Sequence, residues 1–114
     1  MDLSTLKTRL ETATASFNSL ERQLADPDVA SNPSKLQSIA RERARLEPLV
    51  LDYELLKQLE VEWQQVRDLL RESRGEEEMA LLAQDELNQL EEKKRSVLQR
   101  ITLALLPKDP RDDR

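Results

Sequence analysis

Residues 2–25, DLSTLKTRLETATASFNSLERQLA, decide the fold. Leu3, Leu6, Leu10, Ala13, Phe17, Leu20 and Leu24 recur at alternating steps of three and four. That spacing gathers one apolar stripe along an α-helix and makes an a/d seam. Asp2 is placed to accept from the free amides of the first turn, and Ala25-Asp26-Pro27 ends the helix because proline drives the residue before it out of the helical region. Pro27 to Pro33 then reads as a short polar elbow.

Working outward, Asn32-Pro33 is a start signal with a mechanism. Asn caps orphan amides, and proline at the first helical position sacrifices no hydrogen bond. The second helix is predicted over 33–73, with a seam of Leu36, Ile39, Arg43, Leu46, Val50, Tyr53, Leu56, Leu59, Trp63, Val66 and Leu70. Two successive three-residue steps, Tyr53 to Leu56 to Leu59, shift the frame as a stammer does in a coiled coil. Pro48 lies just before that shift, and an interior proline removes one backbone bond and clashes with the previous turn. A kink is expected there, with two shorter helices meeting at Glu47-Pro48 as the alternative. Gly75, the single glycine of the chain, marks a tight turn. A third helix follows over 76–105, Glu76-Glu77-Glu78 at its positive end and Met79, Ala83, Leu87, Leu90, Val97, Leu98, Ile101 and Leu105 on its apolar face, interrupted by Lys94. Pro107 and Pro110 close it.

At 1.5 Å per residue the three helices would measure about 35, 60 and 45 Å. Short connections make neighbours antiparallel, so the expected fold is all-α, an elongated antiparallel hairpin or three-helix coiled-coil bundle. Residues 1–106 are read as one helical domain and 107–114 as a polar linker.

Composition removes most chemistry. The 114 residues include no His and no Cys, which excludes an imidazole base, a thiol nucleophile, zinc sites with soft ligands and disulfides. One glycine excludes a glycine-rich phosphate loop. No cofactor is expected. The 18 Lys and Arg against 23 Asp and Glu leave a net charge of −5, the wrong sign for a protein that wraps nucleic acid. Apolar runs such as Leu103 to Leu106 are far shorter than the roughly 20 residues that span a bilayer, so no membrane contact and a cytoplasmic location are expected.

The run LLPKDPRDD at residues 105–113 resembles the segment joining the helical N-terminal domain to the catalytic core in bacterial class I peptide chain release factors, the kind that reads UAG and UAA. The Leu46-Glu47-Pro48 break followed by Tyr53, and the Met79-Ala80 and Glu86-Leu87 region, look like the same family, so the resemblance covers essentially the whole chain. It implies an arm of a translation termination factor. The core that reads codons and carries the Gly-Gly-Gln loop for peptidyl-tRNA hydrolysis would lie outside these residues. No Gly-Gly pair is present. No catalytic residue is therefore carried over, and the chain is not expected to be an enzyme.

The family's helical domain projects to the stalk base of the large ribosomal subunit, touching ribosomal protein and rRNA. On this chain the corresponding tip is the turn from Arg71 to Met79. Its glutamates would repel rRNA, which favours a basic or apolar protein surface, with Arg71 and Arg74 as phosphate contacts. Arg41 and Arg45, on one face of the second helix, form a further basic candidate, against the alternative of a solvated face mixed with Glu42 and Glu47. Glu91 to Arg95 reads as intrahelical ion pairs, Asp85 and Glu86 lack a predicted pocket for acid–base work, and Tyr53 and Trp63 read as core. The competing function is a stand-alone coiled-coil adaptor or oligomerisation module, its seam open to a second copy as a homodimer.

Overall fold

The computed structural model describes residues 2–106, so the polar tail expected at 107–114 lies outside the described residues. The fold is all-α. Four helices follow in order: α1 Leu3–Leu24, α2 Pro27–Ala30, α3 Pro33–Glu72 and α4 Glu77–Leu105. No strand occurs among the described residues.

Local chemistry sets each start. Asp2 caps α1, accepting from the Thr5 amide at 2.8 Å. Asn32 does the same for α3, its Oδ1 taking the Lys35 amide at 3.2 Å with Pro33 in the first turn. Between them the expected polar elbow is corrected by the structure, which winds residues 27–30 into the short helix α2. Asp26 accepts from the Asp28 amide at 3.0 Å, and Pro27 presets the first helical dihedral, so the signal that ends α1 also begins the next turn.

α3 is one helix of 40 residues with Pro48 inside it, which settles the choice between a continuous helix and two meeting at Glu47-Pro48. Leu46 and Val50 on either side of the proline are buried, while Pro48 and Ala44, the residue whose carbonyl loses its partner, face water. Buried anchors hold the helix while solvent satisfies the freed carbonyl.

The chain leaves α3 through Ser73, whose hydroxyl donates to the Leu69 carbonyl at 2.7 Å. Gly75 follows at φ 88, the one positive φ among the described residues. This is the left-handed conformation that a Cβ penalises. Glu76 then donates its amide to Ser73 O at 2.9 Å, and α4 begins with Glu77 and Glu78 in its first turn.

Two compact units divide the chain, Met1–Tyr53 and Glu54–Arg114. In the first, Leu6, Leu10, Leu46, Val50 and Tyr53 are buried. Phe17, Leu20 and Leu24 are half-buried along α1, and α1 lies beside α3 where Arg43 meets Phe17 and Glu21. In the second, Leu56 and Leu59 of α3 and Ala83, Leu87, Leu90, Val97 and Ile101 of α4 are buried. The seam inferred from periodicity is thus the buried face, and Tyr53, Leu56 and Leu59 all stay inside despite the frame shift. The expected face fails at three helix starts. Leu3, Leu36 and Met79, each in the first turn of its helix, are exposed.

Candidate functional site

Three groupings of polar and charged side chains are built on this scaffold. The first centres on Arg43, at a seam position of α3. Its Nε and one terminal nitrogen donate to Glu21 Oε1 at 3.2 and 2.9 Å, and the other terminal nitrogen donates to Glu47 Oε2 at 2.9 Å. The guanidinium carbon lies 4.8 Å from the centre of the Phe17 ring. The hydrogen bonding to the Glu21 carboxylate is the main reason the Arg43 pKa is raised above its ordinary value. This cluster joins α1 to α3 and commits three of the five guanidinium N–H donors to Glu21 and Glu47.

The second grouping holds the expected basic candidates. Arg41 is exposed and makes no ion pair among the described residues, whereas Arg45 is bound to Glu42 one turn earlier. That hydrogen bond holds the Glu42 carboxyl below the usual range and raises Arg45. Of this pair Arg41 is the cation free to meet a phosphate. Arg71, in the last turn of α3, and Arg74, in the turn beyond it, are both exposed and without an ion pair among the described residues. They lie within a few residues of each other in the second unit. Arg41 and Arg45 belong to the first.

The third grouping surrounds Trp63, expected in the core and found half-buried. Arg67 and Lys94 both approach its ring, at 5.2 and 5.7 Å from the centroid. This explains the lysine that interrupts the apolar face of α4: its ammonium rests on the indole. Beside it an open groove of about 380 Å³ is lined by Gln84, Leu87, Asn88, Glu91, Glu92 and Arg95. The indole Nε1 is buried without an acceptor. Gln84 donates to Asn88 at 3.1 Å within this wall. The lining of this groove holds no Ser, Thr or Lys side chain, and its two carboxylates, Glu91 and Glu92, are exposed. Asp85 and Glu86 are exposed, and Asp85 accepts from Gln89 at 3.2 Å, so they do not form an acid–base pair in a cavity. No group of acidic side chains among the described residues is arranged to hold a metal ion. No helix among the described residues is long and apolar enough to cross a membrane.

One feature escaped the sequence reading. Leu81 and Leu82 are 66% and 67% exposed, on the side of α4 away from Ala83, Leu87 and Leu90. The signal was available, since neither leucine fits the i, i+4, i+7 spacing of the buried face.

Comparison with known proteins bears on all of this. Residues 13–114 match the family model described as the PCRF domain. Proteins named Peptide chain release factor 1 are similar over nearly the whole chain. The one from Symbiobacterium thermophilum is 35% identical over 109 residues, covering 96% of this chain and 30% of the relative. Those from Clostridioides difficile and Geobacillus kaustophilus are 34% and 32% identical over 106 residues, each covering 93% of this chain, and 30% and 29% of the relative. The chain therefore spans about 30% of the length of these relatives. No solved structure gives a significant match.

Proposed function

This chain belongs to the peptide chain release factor family, as a PCRF domain, and from that premise we propose that it is a non-catalytic arm of a translation termination factor. In this reading the arm contacts the stalk base of the large ribosomal subunit, protein and rRNA together, and orients a separate core that directs stop-codon-dependent hydrolysis of peptidyl-tRNA. The match of residues 13–114 to the family carries the proposal. The chemistry agrees with a division of labour, because long helices stabilised by leucine seams transmit position, while a surface of solvated ion pairs and open grooves offers nothing to cleave an ester. Residues 107–114 would join the arm to the core.

Arg71 and Arg74 are the contacts assigned to rRNA phosphate, being exposed cations without an ion pair among the described residues at the turn between α3 and α4. Arg41 is a secondary contact, and Arg45 joins it only by giving up Glu42. The competing reading, a self-pairing coiled-coil module, draws on Leu3 and Leu36, the exposed ends of the seam in the first unit.

Pelleting of the purified chain through sucrose with large ribosomal subunits tests the proposal. Binding that falls several-fold in the double variant Arg71→Glu/Arg74→Glu is expected, together with no peptide release when the chain alone is added to ribosomes halted at a stop codon. Absence of pelleting, or release by the chain alone, would overturn it. A stable dimer in sedimentation equilibrium, without ribosome binding, would favour the module.

A further inference from the structure

The outward side of α4 carries the least expected surface of the molecule. Glu78, Leu81, Leu82 and Asp85 are spaced at i, i+3, i+4 and i+7, so they form one contiguous patch, with an acid one turn before and one turn after an adjacent pair of leucines. All four are exposed. The leucines, at 66% and 67%, are the most exposed large apolar residues described, and Met79, three residues before Leu82, adds a third at 42%. Along the same outward side the following turns hold Gln89 and Glu92, so the apolar character is local. Scattered single leucines on a surface need no explanation, but an adjacent pair opposite the core makes no contribution to packing.

Charge selects the occupant. Between Gly75 and Glu92 the chain has seven carboxylates and no Lys or Arg. Glu77, Glu78, Asp85 and Glu86 are all exposed around the leucines, and the Asp85 carboxylate accepts from the Gln89 side-chain amide. A phosphate backbone is repelled by such a surface, and a second copy would set acid against acid. A protein surface with an apolar pocket rimmed by Lys or Arg satisfies both components: the leucines leave water, and the carboxylates pair at the rim.

We infer that Leu81 and Leu82, framed by Glu78 and Asp85, dock a basic, apolar-pocketed protein surface. This rests on the ribosome-arm reading and assigns within it the face that meets the protein component, while Arg71 and Arg74 remain the candidates for phosphate. The residues that recognise the partner are thus distinct from the basic residues that a search for RNA contacts singles out.

The test uses the purified chain with intact large ribosomal subunits and, separately, protein-free large-subunit RNA. The variants are Leu81→Ser/Leu82→Ser, and Glu78→Lys/Asp85→Lys, which keeps the leucines and reverses their frame. All four positions are exposed, so both variants are expected to keep the circular dichroism spectrum of the parent, the lysine variant melting somewhat earlier because Glu78 lies in the first turn of α4, at the positive end of its dipole. Each should weaken binding to intact subunits at least tenfold, and the parent should bind protein-free RNA at least tenfold more weakly than intact subunits. Parent binding that neither variant diminishes overturns this inference and leaves the arm reading standing, whereas failure of the parent to bind intact subunits overturns both. Equal binding to protein-free RNA, or a parent dimer that the serine variant dissolves, assigns the patch to RNA or to a second copy and overturns the protein partner.

Discussion

Arg43 occupies a position that the leucine seam reserves for an apolar side chain. Its stem lies along the helix while its guanidinium reaches Glu21, Glu47 and the Phe17 ring. The snorkelling geometry was legible from the seam, because an arginine at such a site has one way to keep its charge solvated. Its partner Glu21, 22 residues earlier, was not, since periodicity says nothing about which turn of one helix faces which turn of another. Arg43→Met keeps the stem and removes the donors, so we expect a lower urea midpoint at low salt and a smaller difference from the parent at 1 M NaCl, where exposed ion pairs are screened. Asp2 gives a pH dependence. The Thr5 amide bound to its carboxylate is the largest reason its pKa is lowered, so the group contributes stability above the usual carboxylate range and loses it as pH falls through its folded-state value. Asp2→Asn, which keeps a cap but cannot titrate, should flatten the acid limb of the melting midpoint plotted against pH.

At the scale of the element, caps and breakers are short-range chemistry, and most were readable. Asp2, Asn32-Pro33 and Gly75 act through atoms within a few residues of themselves. Asp26-Pro27 acts in both directions: its proline ends α1, as its sequence implies, and the Asp26 carboxylate accepting from the Asp28 amide starts α2, which spacing alone does not signal. Pro48 was the ambiguous case, because the sequence contains the cost of the proline but not the burial of Leu46 and Val50 that outweighs it. That balance is measurable. Pro48→Ala restores an amide toward the Ala44 carbonyl at a solvent-facing position of a continuous helix, so it should stabilise the chain by about 1–3 kcal/mol in urea unfolding. No gain would mean that the helix has adapted fully to the proline.

For the whole molecule, charge is the governing quantity. A net charge of −5 and a pI near 4.9 set the long-range field against nucleic acid, and exposed arginines act only at close range once another contact has brought them there. The purified chain should therefore bind a random RNA duplex at physiological salt more weakly than the roughly 10⁻⁴ to 10⁻⁶ M of basic non-specific binders, as read by filter retention. Retention in that range would show that the cationic residues dominate the field.

By itself the sequence determined the all-α class, the faces of the helices and the chemistry they exclude. Leucine spacing, caps and missing residue types act locally or by composition, and these need no knowledge of what lies across the fold. Tertiary structure alone decided that α3 runs unbroken through Pro48, that Arg43 closes on Glu21, that Lys94 and Arg67 rest on Trp63, and that Met79, though on the apolar face of α4, is left exposed. Those outcomes depend on which turns of different helices come into register. Side chains far apart in sequence settle that jointly, through the apolar surface each removes from water.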